Sequence, residues 1–245
     1  MVESDALEPD ELFIDLDNIC FAYPGREIVI DHLNFQMGKG QRLGLVGSNG
    51  SGKSTLLHLI MGLHPPDAGT MRLFGKSMNS EQDFKTARRR MGFVFQNADD
   101  QLFSPTVIED VAFGLLNMGK SPEEAVELSK ETLRSLGLGG FEERVTYKLS
   151  GGEKKLVSLA TVLVMQPDML LLDEPTTGLD EKTVTRIIAL LNELDIGYLI
   201  VSHEFDFIAR TTTDIYTMAN GQIHFKCKSD QFQQSRLPDT DTPPV

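Results

Sequence analysis

The segment Gly47-Ser48-Asn49-Gly50-Ser51-Gly52-Lys53-Ser54 follows the pattern G-x-x-x-x-G-K-[ST] of a phosphate-binding loop. Its surroundings agree. Arg42-Leu-Gly-Leu-Val-Gly47 reads as a short buried strand entering the loop, and Thr55-Leu-Leu-His-Leu-Ile-Met61 as a helix leaving it. Glycines allow successive backbone N–H groups to turn inward around phosphate oxygens, and the helix N-terminus adds a favourable dipole. Lys53 is long enough to reach β- and γ-phosphates, and the Ser54 hydroxyl suits Mg²⁺. Thr55, beside it, joins the binding set. A plain Gly/Ser turn is the competing reading, disfavoured by a full match in that context. The motif implies a nucleoside triphosphate.

Two further places supply groups that act on such a ligand. Met169-Leu-Leu-Leu-Asp173-Glu174 is an apolar strand ending in two carboxylates. In a parallel sheet, ligands gather at the carboxyl ends of the strands. Asp173 is then placed to hold Mg²⁺ and Glu174 to contact an attacking water. Tyr198-Leu-Ile-Val-Ser202 is another such strand, and His203 follows it. A lone histidine is more often structural, but at this edge His203 can bond a γ-phosphate or orient water. His32, His58, His64 and His224 have no such support, and none forms a metal-binding cluster. Leu149-Ser150-Gly151-Gly152-Glu153 has the S-x-x-E spacing of a helix capping box. Its two glycines at a helix start also make an anion site, one suited to a nucleotide held by another subunit.

The elements that must carry these groups form an α/β pattern. Phe13–Phe21, with Ile14, Leu16 and Asn18 on one parity, Thr70–Phe74 and Gly92–Phe95 read as strands of an N-terminal β region. Residues of about 97–166 turn helical, with helices over Pro122–Leu136 and Glu153–Met165. Strand Met169–Leu172, helix Lys182–Leu194, strand Tyr198–Val201 and helix Glu204–Arg210 then alternate, which implies a parallel sheet with right-handed crossovers. Asp214–Met218 and Gln222–Phe225 flank Asn220-Gly221 as a hairpin. Residues 12–228 are expected to form one domain, and residues 229–245, with three prolines, a mobile tail.

Bulk composition narrows the partners. The 245 residues carry a net charge of −13, which disfavours nucleic acid. The first seventeen residues hold seven carboxylates and no Lys or Arg, unlike a signal or transit peptide. No apolar run is long enough to cross a bilayer, so a membrane role would come through partners. Cys20 and Cys227 show no metal or redox spacing, and a reducing, cytoplasmic setting is expected. Arg88-Arg89-Arg90 near Lys85 is a short charge run, expected to be a solvated face rather than a phosphate or lipid patch.

Taken in order, the phosphate loop, Gln96, Leu149–Glu153, Met169–Glu174, Gly178-Leu179-Asp180 and His203 resemble the ATPase subunits of ATP-binding-cassette (ABC) transporters over residues 12–226. The resemblance implies that fold: a phosphate-loop ATPase with a mixed, mainly parallel sheet, an N-terminal antiparallel β region and an inserted helical subdomain. It implies ATP and Mg²⁺ as ligands. By the same resemblance Tyr23 stacks on adenine, and Gln96 senses Mg²⁺ and the γ-phosphate. Ser150, Gly151 and Gly152 bind ATP across a dimer, Asp180 couples the two sites, Glu174 activates water and His203 positions the γ-phosphate. A second ATPase subunit, most simply a second copy, is implied, with integral membrane coupling and substrate-binding components. The chain would then sit peripherally on the cytoplasmic face of the membrane.

Gln96-Asn-Ala-Asp-Asp-Gln-Leu-Phe103, with Ser104–Val107 and Asp110–Gly114, is more narrowly similar to the ATPases of energy-coupling-factor importers, the cobalt and nickel type in particular. Phe103 and Val107 are either core or part of a groove for a membrane partner's helix. Ala98, Leu156 and Glu181 depart from common family residues, respectively proline, arginine and proline. None of these removes a nucleotide-contacting group. Other expectations compete: the shared motor of a vitamin importer, a soluble cassette in repair, ribosome function or cofactor assembly, and a binding-only regulator. Absence of sustained heptads and the acidic charge oppose the repair and ribosome readings. Intact Lys53, Asp173, Glu174 and His203 oppose the regulator.

Overall fold

The computed structural model describes residues 11–234. Ten strands and eight α-helices form two sheets and a helical layer among the described residues. β1 (Leu12–Ala22), β2 (Ile28–Gly38), β4 (Ala68–Leu73) and β5 (Lys76–Ser77) make an antiparallel sheet in the order β2-β1-β4-β5. The larger sheet joins β3 (Arg42–Val46), β6 (Met91–Val94), β7 (Met169–Asp173), β8 (Gly197–Val201), β9 (Asp214–Ala219) and β10 (Gln222–Lys228). Its order is β10-β9-β3-β8-β7-β6. Every pair in it is parallel except the hairpin β9–β10.

The parallel strands read as unbroken apolar runs because both faces are covered. Leu43, Leu45, Met169, Leu171, Leu199 and Val201 face one core, shared with α1 (Lys53–Ile60) and the antiparallel sheet. Leu170, Leu172, Tyr198, Ile200 and Ile215 face the other. That second core is closed by α3 (Val107–Asn117), α4 (Pro122–Ser135), α5 (Gly151–Leu163), α6 (Glu181–Glu193) and α7 (Phe205–Thr211).

Three sequence expectations change. Asn18 does not share the inward parity of Ile14 and Leu16. It is exposed with φ 56°, and inward facing resumes at Ile19 and Phe21. Residues 229–234 are not a loose tail: Ser229–Gln234 forms α8. Ser229 is buried, its N–H donates to the Thr213 carbonyl at 3.0 Å, and its hydroxyl lies 3.1 Å from the Thr212 hydroxyl. The rest of the expected tail, and most of the acidic N-terminal segment, lie outside the described residues. The basic run is not simply a solvated face. Arg88 pairs with Glu81 and donates to the Met61 carbonyl, while Arg90 pairs with Asp168 and lies 4.0 Å over the Phe74 ring. Two elements give no clear sequence pattern: β2 and the charged helix α2 (Glu81–Arg88), which Ser80 caps through the Asp83 N–H.

The helical layer is tied down by Asp110, which is 3% exposed. One carboxylate oxygen accepts from the N–H groups of Phe103 and Ser104, and the other from the Thr146 hydroxyl. These bonds join the segment that leads into α3 to the one that leads into α5. Asp110→Ala leaves those donors unpaired and should lower unfolding stability by about 2–4 kcal/mol in a denaturant titration. A change within error would show that the segments hold without it.

Candidate functional site

Because β3, β8, β7 and β6 run parallel side by side, their carboxyl ends meet at one edge. Four of the predicted groups sit at these ends: the phosphate loop after β3, His203 after β8, Asp173 and Glu174 at β7, Gln96 after β6. A cleft of about 470 Å³ opens there. Tyr23, Asn49, Gly50, Gly52, Lys53, Ser54, Thr55, Gln96, Glu174 and His203 line it. Ser48 and Ser51 line the adjoining cleft on the other side of the loop.

The loop needs its glycines. Gly52 has φ 101°, and a Cβ on Gly47 would meet the Met218 carbonyl oxygen at 2.5 Å. Lys53 Nζ donates to the carbonyls of Gly47 and Ser48, at 2.9 Å each. Burial lowers its pKa, opposed by the charges of Glu174 and Asp173. The Ser51 hydroxyl is buried without a hydrogen-bond partner.

Asp173 is buried, and burial raises its pKa, partly offset by a hydrogen bond with Ser54. Its Oδ1 has no hydrogen-bond partner. An orphaned buried carboxylate oxygen beside a hydroxyl fits a hard cation such as Mg²⁺. Glu174 has φ 44°, an uncommon backbone for a non-glycine residue and one often found at functional sites. Its Oε2 lies 2.9 Å from His203 Nδ1 and 3.2 Å from the Thr177 hydroxyl. The hydrogen bond and the charge of Glu174 raise the pKa of His203. This carboxylate–imidazole pair is placed to take and hand on a proton.

Tyr23 borders the cleft with its hydroxyl 3.2 Å from the Thr55 hydroxyl. It packs edge-on against Phe21 and His64, so His64 belongs to an aromatic platform that the sequence did not reveal. Arg26 and Val29 also line the cleft. They go unseen in the sequence along with β2, and an isolated Arg after a Pro-Gly turn gives little signal.

Lys155 goes unseen too. It is 3% exposed, and its Nζ donates to the carbonyls of Phe95 (2.8 Å) and Gln96 (2.7 Å). Burial pushes its pKa down to about 8. Lys154 pairs with Asp99. The two lysines thus tie the start of α5 to the segment holding Gln96.

Ser150, Gly151 and Gly152 are not in the cleft. They begin α5, where Ser150 and Glu153 form the expected capping box. A Cβ on Gly152 would meet the Thr183 hydroxyl at 2.8 Å, which brings α5 against the start of α6. Asp180 caps that start, accepting from Thr183 N–H and hydroxyl at 3.0 and 2.7 Å. Of the two residues with alternative readings, Val107 is core and Phe103 is exposed, packed edge-on to Phe113.

A sequence model described as ABC transporter matches residues 30–177. The chain belongs to the ABC transporter family. It is an ATP-binding, ATP-hydrolysing cassette of that family. A relative from Nitratidesulfovibrio vulgaris, described as an ABC transporter ATP-binding protein, is 53% identical over 86% of this chain and 77% of its own length. An energy-coupling factor transporter ATP-binding protein, EcfA, from Methanothermobacter thermautotrophicus is 40% identical over 86% of this cassette and 69% of its own. Among solved structures, cbiO1 from Clostridium perfringens, part of the ABC transporter complex cbiONQ, aligns with TM-score 0.82 and 30% identity over 92% of each chain. A dimeric cassette in a post-hydrolysis state bound to ADP and Pi aligns with TM-score 0.81 and 27% identity over 88% of this chain and 98% of that one.

The capping box that shapes Ser150–Gly152 has a pH signature. Hydrogen bonds from Ser150, then the Arg144 charge, lower the Glu153 pKa below its ordinary 4.5. A depressed carboxylate contributes stability above its unfolded pKa and loses it as pH falls through the folded value. Glu153→Ala should therefore lower stability at pH 7, by about 0.5 kcal/mol or less because solvent screens the exposed charge. Its gap from wild type should close on acidification below 4.5. A gap constant with pH would remove the charge from the cap.

Proposed function

We propose that the cassette is the motor subunit of an energy-coupling-factor importer, with Co²⁺ or Ni²⁺ as its cargo. The observation that carries the motor reading is the single edge at which Lys53, Gln96, Glu174 and His203 converge. The energy-coupling-factor type is supported by the EcfA relatives, and the metal cargo by the resemblance of the Gln96–Phe103 stretch to cobalt and nickel importers. The EcfA relatives equally support a vitamin importer sharing one motor, the second reading.

In this reading Tyr23 stacks on adenine, and the loop Gly47–Thr55 and Lys53 hold the phosphates. Ser54, Gln96 and Asp173 hold Mg²⁺, which supplies charge neutralisation at the terminal phosphates. The Glu174 carboxylate accepts the proton of the attacking water, and His203, paired with that carboxylate, holds the γ-phosphate in line. Burial of Glu174 and the hydrogen bonds from His203 and Thr177 fix its orientation, so little reorganisation accompanies proton transfer. Ser150–Gly152 lie away from the cleft of their own chain and serve the ATP of a second cassette, head to tail. The membrane partners dock where Phe103 and Phe113 border a groove with Met61, Phe93 and Met165. The protein then works from the cytoplasmic face without entering the bilayer.

Glu174→Gln should lower steady-state ATP hydrolysis by about a hundredfold or more, the scale of a lost general base. ATP-bound dimers should accumulate on a sizing column. In cells expressing the native transporter, labelled Co²⁺ and Ni²⁺ uptake should vanish with the same variant at matched expression. Unchanged hydrolysis removes Glu174 as base. Unchanged uptake with lost hydrolysis discards the metal cargo in favour of a vitamin.

Lys53→Ala should abolish ATP binding by calorimetry, and normal affinity would refute the loop assignment.

A further inference from the structure

Outside the ATP cleft, the described residues contain one group of side chains with the make-up of a transition-metal site: Cys20, Asp31 and His32. No spacing in the sequence announces it, because its origin is an irregularity of the β1–β2 ladder. Ile19 faces Leu33 and Phe21 faces Ile30. Between those pairs the single residue Cys20 on β1 stands opposite two residues on β2, Asp31 and His32. A bulge of this kind leaves a residue unpaired and re-aims side chains. Ile19, Phe21, Ile30 and Leu33 all remain buried, while Cys20, Asp31 and His32 are left on the outer side. His32 takes φ 49° to do so.

One donor atom from each residue, a sulfur, a nitrogen and an oxygen, lies within 4.8 Å of the other two. His32 Nδ1 is 2.6 Å from Asp31 Oδ1, and the His32 backbone N–H donates to Cys20 Sγ at 3.4 Å. Asp31 is anchored from behind, its N–H donating to the Gly221 carbonyl at 3.1 Å. A histidine–aspartate pair at a surface is ordinary. A thiol brought to the same point by the opposite strand makes a mixed S, N, O donor set held on two paired strands. Hard ions such as Mg²⁺ and Ca²⁺ favour all-oxygen sets, whereas Zn²⁺ and Co²⁺ accept thiolate, imidazole and carboxylate together.

We propose that Cys20, Asp31 and His32 bind one zinc-class divalent cation, with water in the fourth position. The Cys20 thiol gives its proton to solvent on binding, and His32 binds through a neutral ring nitrogen. Three protein ligands with an open position suit exchange rather than permanent burial. The site is separate from the ATP cleft and independent of the cargo.

Co²⁺ titration of the untagged, reduced full-length protein in excess Mg²⁺ tests this. A near-ultraviolet thiolate-to-cobalt band and visible tetrahedral bands should saturate at one equivalent and disappear on adding Zn²⁺. Cys227→Ser should keep the band and Cys20→Ser should lose it. His32→Ala should weaken binding by at least about tenfold, a loss that even outer-sphere partners of metal ligands produce. His32 is exposed, so this variant tests the same ligand set if Cys20→Ser fails to fold. Absence of the band from wild-type protein, or its survival in Cys20→Ser, overturns the proposal.

Discussion

A sheet buried on both faces has no place for polar chemistry except its ends. That constraint organises this cassette. The β3, β8, β7 and β6 strands give their side chains to two cores, so each becomes available to a ligand only where it stops. Parallel pairing brings all four stops to one edge. Residues separated by more than a hundred positions, Lys53 and Glu174, thereby line one cleft without any contact between their own elements having to be invented.

The edge alone is not enough, because the loops that leave it must keep their shape. The segment around Gln96 is held from outside the sheet, by Lys155 at two backbone carbonyls and by Lys154 at Asp99. Burial of an ammonium is costly unless its donors are satisfied. Lys155 meets that condition with main-chain oxygens, which makes the Gln96 segment part of the α5 framework. On the other side, Glu174 is fixed by its own uncommon backbone and by bonds from His203 and Thr177. The chemistry thus rests on a rigid sheet edge flanked by polar ties rather than on free loops.

Much of this is legible in the chain. The phosphate loop, Asp173-Glu174 and His203 each follow an apolar run short enough to be a strand, and alternating helices imply parallel pairing. In the antiparallel sheet the unreadable parts trace to bulges. In β1 the inward residues pass from Ile14 and Leu16 to Ile19 and Phe21, and in β2 from Ile30 to Leu33, Phe35 and Met37. Each strand changes parity midway, so no simple alternation survives and β2 disappears from the pattern, taking Val29 of the cleft with it. The helix α2 is hidden differently: it is short and mostly charged, with only Ala87 buried, so it has no apolar stripe to read. Lys155 is hidden because charge reads as surface until its partners are known.

The approach of Gly152 to Thr183 bears on mechanics rather than chemistry. With room there for a hydrogen atom and little else, the first turns of α5 and α6 have almost no slack between them. A larger side chain at position 152 would have to push the Thr183 hydroxyl away from Asp180, so the shape of one helix start depends on the cap of the other.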